Sequence, residues 1–376
     1  MTNFKKYIIL LGCLLGAGQV WASSDVTISP PQYDLMSPPS SNISIWNNEA
    51  GMQTPGDIAG SYYGWVCHSN SDPVMGACAA EMTGNTSGST PINVQFVEKR
   101  SGMKQVLTLQ GTKYQGLPGG GCNWQGPYPM NSMGHLNVYC YSQPLNTSFL
   151  TVTLPGSELG KLPVGGVWEA TLKLQLVDAN NVYLAEYTAH ITLSATDKNH
   201  ADIYLPAYGE AAPLVELDLH PRGAPDGNAY AQDVTSLDMC LYDGYNANST
   251  RYDVTLKDEG RSAPGRDPKD FSIYRDKATT DEAVDRIDYH VQMQAPTSSN
   301  GGGGLIDVAN NQDITLTNIN NGEIRPVRLP NMRYPVLCVP TPLILSVDKF
   351  NVMDKNEGFY QGTLTVTFTP TTLSVD

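Results

Sequence analysis

The sequence predicts an all-β chain folded as two tandem β-sandwich domains. Three observations carry that reading. Helical periodicity is scarce, and Gly, Pro, Asn, Ser and Thr punctuate the chain at about the spacing expected between short strands. Apolar residues alternate with polar ones over strand-length runs. A chain of 376 residues also exceeds what a single core usually organises. The 35 glycines and 26 prolines are too dispersed for a collagen or a linker protein.

Residues 1–22 read as a secretory signal: Lys5 and Lys6, an apolar run from Tyr7 to Ala17, then Val20-Trp21-Ala22 before a cleavage point after Ala22. The run is shorter than the roughly 20 residues that span a bilayer. Its removal takes two lysines and no acids, so the net charge moves from −14 to about −16. A nucleic acid is a poor partner for such an acidic chain.

In the first half, strands are expected at Ile92–Val97, Gln105–Leu109, Phe149–Leu154, Trp168–Val177 and Tyr183–Leu193. The segment Leu205 to Pro213 breaks the periodicity with two prolines and a glycine and is read as a linker over 206–213. It separates an N-terminal domain (23–205) from a C-terminal one (214–376). Val215, Leu217 and Leu219 then alternate with Glu216, Asp218 and His220 as a further strand. Pro296 to Asn311, with its run of glycines, reads as a flexible loop, and no Gly-Lys-Ser/Thr follows to make it a phosphate cradle. At the end, Leu364, Val366 and Phe368 form one apolar face between outward threonines.

The residues give no enzyme signature. There is no Gly-x-Ser-x-Gly elbow and no His-Glu-x-x-His, and the six histidines are scattered. Asp238 and Asp243 are a conceivable carboxylate pair, but Asp243-Gly244 reads more naturally as a turn. Cys13 leaves with the signal, and six cysteines remain: Cys67, Cys78, Cys122, Cys140, Cys240 and Cys338. An even number fits disulfides in an oxidising compartment. Zinc is the competing reading, without CxxC spacing to support it. A loop rich in aromatic and amide side chains, Gly119 to His135, contains Trp124 and Tyr128 and suggests a binding surface.

Several blocks, in this order, give a more specific reading: Phe96-Val-Glu-Lys-Arg-Ser101, Leu154 to Leu174, Tyr187 to Thr192 with Thr196-Asp-Lys198, Asp238 to Ser249, Pro335-Val-Leu-Cys338 and Gln361 to Pro370. From about Trp65 onward they resemble the two-domain tip adhesins of class 5 fimbriae, the CfaE-like or CblD-like pilus biogenesis initiators. The resemblance implies immunoglobulin-like sandwiches and bridges Cys67–Cys78, Cys122–Cys140 and Cys240–Cys338. It implies no cofactor, no metal and no catalysis. Expected partners are a periplasmic chaperone, an outer-membrane usher, a major pilin and a host-cell glycan or glycoprotein, with the chain at the fimbrial tip.

The same resemblance implies that the second domain lacks a strand and takes one from another chain along the face of Leu364, Val366 and Phe368. Receptor binding in the best-known relatives uses three arginines. Here those positions hold Tyr62, Asp178 and Ala179, which implies a different receptor on a surface that would include Tyr62, Trp124, Tyr128, Asp178 and Asn180. A minor pilin that initiates or caps assembly without adhesion is the alternative, and a secreted hydrolase a more distant one.

Overall fold

The computed structural model describes residues 23–51, 63–84, 87–116, 125–133, 139–140, 143–144, 147–209, 212–223, 229–261, 263–296 and 303–371. The expected signal segment lies outside them. Strands dominate throughout.

The first unit runs through β1 (Ser24–Ile28), β2 (Tyr33–Asp34), β3 (Ile43–Ala50), β4 (Tyr63–Cys67), β5 (Thr90–Glu98), β6 (Lys104–Gly116), β7 (Gln125–Pro129), β8 (Tyr139–Cys140), β9 (Gln143–Pro144), β10 (Thr147–Leu154), β11 (Gly166–Asp178) and β12 (Tyr183–Thr196). All five strands expected in this half are present. Strand order is β1-β12-β11-β5-β6-β10-β3, with β4 on β11 and β7 on β6. The long β11 changes neighbours along its length: Trp168 and Glu169 pair with β5, whereas Leu174 to Asp178 pair with β4. Alternation places Ile92, Val94 and Phe96 in the core. Trp65 and Trp46 meet the Tyr187 ring edge-on at 5.6 and 6.1 Å, and the tyrosine hydroxyl donates to Ala50 O at 2.9 Å.

The second unit comprises β13 (Asp202–Tyr204), β14 (Tyr230–Leu237), β15 (Cys240–Tyr242), β16 (Arg251–Lys257), β17 (Phe271–Arg275), β18 (Arg286–Gln294), β19 (Leu305–Val308), β20 (Asp313–Thr317), β21 (Arg325–Val327), β22 (Val336–Pro340), β23 (Leu343–Asn351), β24 (Tyr360–Gln361) and β25 (Thr365–Thr371). One sheet has the order β14-β23-β18-β17-β24 and another β20-β16-β25; a smaller one joins β13-β15-β22-β21. Between them lies a core containing Tyr252, Val254, Phe271 and Leu343.

Three details depart from the sequence reading. Asp202–Tyr204, which sequence places with the first domain, pairs with Cys240–Tyr242 of the second, because its hydrogen-bonding partners lie there. Residues 305–308, inside the expected flexible loop, form a strand against β18. Val215, Leu217 and Leu219 do turn a half-buried face to the core, yet no described strand pairs with them.

Two of the implied bridges, Cys67–Cys78 and Cys240–Cys338, are formed. Cys122 and the side chain of Cys140 lie outside the described residues. Cys240, Tyr242 and Cys338 pack into the same cluster as the first domain's tryptophans, so the two units share apolar contact. Buried Glu98 accepts from Asn246 at 2.9 Å and Asn248 at 3.0 Å. Arg100 donates to the carbonyls of Ile319, Asn320 and Gly322, and its burial lowers the guanidinium pKa.

Candidate functional site

The β11–β12 hairpin carries three positions singled out by sequence. Asp178 is committed to building it: its Oδ1 accepts from Asn180 N at 2.8 Å and Val182 N at 2.9 Å. Such a carboxylate is a turn element before it is a ligand contact. Ala179 is half-buried and Asn180 exposed, followed by Val182 and Tyr183, both more than half exposed. Asn181, at φ +62°, reaches across to accept from Met82 N at 2.7 Å, tying the hairpin to the loop after Cys78.

Tyr62 and Trp124 lie outside the described residues. Tyr128 is placed differently from expectation: it is 6 % exposed on β7, beside β6, and burial raises its hydroxyl pKa. Its aromatic area is spent on packing, not presented to solvent. Asn131 is likewise buried, with its amide donating to Glu81 O.

The sequence reading missed Lys113. Its ammonium donates to Tyr63 O at 2.8 Å and to Ser132 O, joining β4 to the turn after β7. Burial pushes its pKa down to about 7. The available signal was parity, since Lys113 shares the inward face of β6 with Leu107 and Leu109. Arg100 is half-buried at the domain joint.

In the second domain, Asp238 forms a two-point ion pair with Arg325, both contacts 3.0 Å. Buried Asp243 accepts from Tyr245 N, Ala247 N and Ser249 N, as the turn reading anticipates. These partners leave the two aspartates structural. Leu364, Val366 and Phe368 are half-buried and alternate with exposed threonines. The Phe368 ring meets Tyr252 edge-on at 4.8 Å. β25 pairs with β16 along one edge and has no described strand on the other. Leu364, Val366 and Phe368 line a groove of about 760 Å3 together with Val215, Leu217, Leu345 and Tyr289. An unpaired edge beside an apolar groove is the geometry that accepts an added strand.

Comparison with known proteins gives the same outline. Residues 17–198 match the profile of the first domain of the CFA/I fimbrial protein CfaE, and residues 201–372 that of its second domain. The CFA/I fimbrial protein CfaE of Escherichia coli is 32% identical over 309 residues, covering 81% of this chain and 79% of the relative. The crystal structure of CfaE, the adhesive subunit of the CFA/I fimbria of enterotoxigenic Escherichia coli, superposes with a TM-score of 0.76 at 25% identity, over 94% of this chain and 95% of that one. A chain from a chaperone–tip adhesin complex described as vital for synergistic activation of CFA/I fimbriae biogenesis superposes with a TM-score of 0.65, also at 25% identity, covering 93% of this chain and 97% of that one. With both domains matched in order and the fold preserved over nearly its whole length, the chain belongs to the CfaE family of CFA/I fimbrial proteins.

Proposed function

We propose that this protein is a fimbrial tip adhesin: the first domain binds a host-cell glycan or glycoprotein, and the second docks the molecule to a pilus by accepting a donor strand. The observation that carries the docking half is the open edge of β25 beside the groove lined by Leu364, Val366 and Phe368. A periplasmic chaperone would fill the groove first. The N-terminal segment of the major pilin would replace it at the outer-membrane usher, so that this protein initiates assembly. Family membership supports each of these partners.

The test is thermal unfolding of the full chain with and without the major pilin's N-terminal segment fused after Asp376. A tethered strand that binds only the folded state stabilises at any protein concentration. A rise of several degrees is expected, and its loss when Val366→Lys is added to the fused chain. Equal melting temperatures would reject a strand-accepting groove. Attachment of the purified chain to epithelial cells tests the adhesive half separately.

A further inference from the structure

The first domain holds a concavity of about 560 Å3 whose lining does not include the hairpin residues Asp178 and Asn180. Its frame is rigid. The Cys67–Cys78 bridge closes one side, and Ala77 and Asn93 exchange both backbone hydrogen bonds, at 2.8 and 2.9 Å. Thr83 N donates to Asn131 O at 2.8 Å, and beneath it buried Thr90 donates to Asn131 Oδ1 at 2.9 Å.

The lining has a definite chemistry. Ala77, Pro91 and Pro129 contribute apolar lining, while Asn70, Thr83 and Asn93, all three exposed, contribute polar groups. Asn93 Oδ1 accepts from Thr108 at 2.9 Å, which fixes the amide and leaves its nitrogen free to donate. Asn70 spends neither side-chain oxygen nor nitrogen within the described residues. Among the described residues no Asp, Glu, Lys or Arg lines the cavity, in a chain whose net charge is −14.

These properties select a ligand class. A cation would need a carboxylate here and an anion a basic group, and the cavity offers neither. An extended peptide would need unpaired backbone, but the facing backbone groups of Ala77 and Asn93 already satisfy each other. A sugar ring has both required faces: C–H groups for the apolar lining and hydroxyls for the amides and threonine. We propose that this cavity binds a neutral saccharide residue. The inference rests on the adhesin reading above and gives it a location and a ligand class.

Saturation-transfer NMR on the full chain tests it, with methyl galactoside, methyl mannoside, N-acetylgalactosamine and N-acetylglucosamine as probes and sialyllactose as the anionic control. At least one neutral probe should bind, with a Kd of about 1 mM as befits a single sugar on a few hydrogen bonds. Asn70→Ala and Asn93→Asp should each weaken it about fivefold or more, the loss of one net hydrogen bond. Glu169→Ala, an exposed position outside the cavity lining, should not change it, and all variants should keep the wild-type melting temperature. Binding of sialyllactose alone, no binding by any neutral probe, or equal binding by the Asn70 and Asn93 variants would overturn the site. Cell attachment measured in parallel separates the two readings. Attachment that survives both variants leaves an adhesin with its site elsewhere. Sugar binding that responds to the variants, in a chain that attaches to no cell, upholds the site and rejects the adhesin.

Discussion

The carboxylate of Glu98 and the side-chain amide of Asn246 are 2.9 Å apart across the boundary between the two domains, both fully buried. Asn248 completes the contact from the other carboxylate oxygen. Replacing Glu98 by Ala would leave the buried Asn246 amide without its acceptor, at about 1 to 3 kcal/mol, and would also remove the bonds from Asn248, which keeps Tyr245 O, and from Ser101 N and Oγ. Calorimetry should show a stability loss of roughly 2 to 5 kcal/mol, with the single transition splitting as the domains uncouple. Glu169→Ala, whose exposed carboxylate lies 3.7 Å from Lys99, should change stability by less than about 0.5 kcal/mol. Equal losses in the two variants would show that the joint contributes nothing special.

Gly244 adopts φ +67° at the same joint, and a Cβ there would overlap Asp197 O. Both the backbone strain and the clash fall on atoms that cannot swing aside. Gly244→Ala is expected to cost about 1 to 3 kcal/mol or more, read as a lower urea midpoint. Gly102→Ala, at φ +68° with open space around it, isolates the strain alone and should cost less.

Lys113 titrates at about 7 when folded, below its ordinary range, because burial disfavours the ammonium. Between that value and the unfolded pKa near 10.4 the unfolded chain binds more protons. Stability therefore rises with pH through this window, by up to about 1.4 kcal/mol per unit. In Lys113→Met this contribution is absent. The wild type should gain on the variant as pH goes from 7 to 9; parallel curves would place the amine in water.

Cys240 and Cys338 close a loop of 98 residues, Cys67 and Cys78 one of 11. In the chain-entropy model the longer closure stabilises by about 4 to 5 kcal/mol and the shorter by about 3. The double alanine replacement of Cys240 and Cys338 should therefore lower the melting temperature more. Non-reducing peptide maps should also recover Cys122 linked to Cys140.

Much of the fold was legible because one sheet face is apolar. Ile92, Val94 and Phe96 on β5, and Leu364, Val366 and Phe368 near the end, point where alternation puts them. Alternation reports a face and not a ladder, so Val215 to Leu219 read as a strand although no described strand pairs with it. Lys113 and Glu98 escaped for another reason. Each is polar at an inward position, and the partners that make burial tolerable, Tyr63 and Ser132 for one, Asn246 and Asn248 for the other, are far away in sequence. Tyr128 was misplaced because an aromatic loop looks alike whether it faces out or in.

The parallel pairing of β1 with β12 bears on export. Ser24 faces Tyr187, and Thr196 donates to Tyr33 O from 163 residues away, so the first strand has nothing to pair with until the end of the domain arrives. A chain threaded through a membrane from its N-terminus would carry Ser24–Ile28 unpaired throughout that interval, with the slow folding that distant pairings bring. On such a route, folding yield should thus be limited by delivery of Tyr183–Thr196.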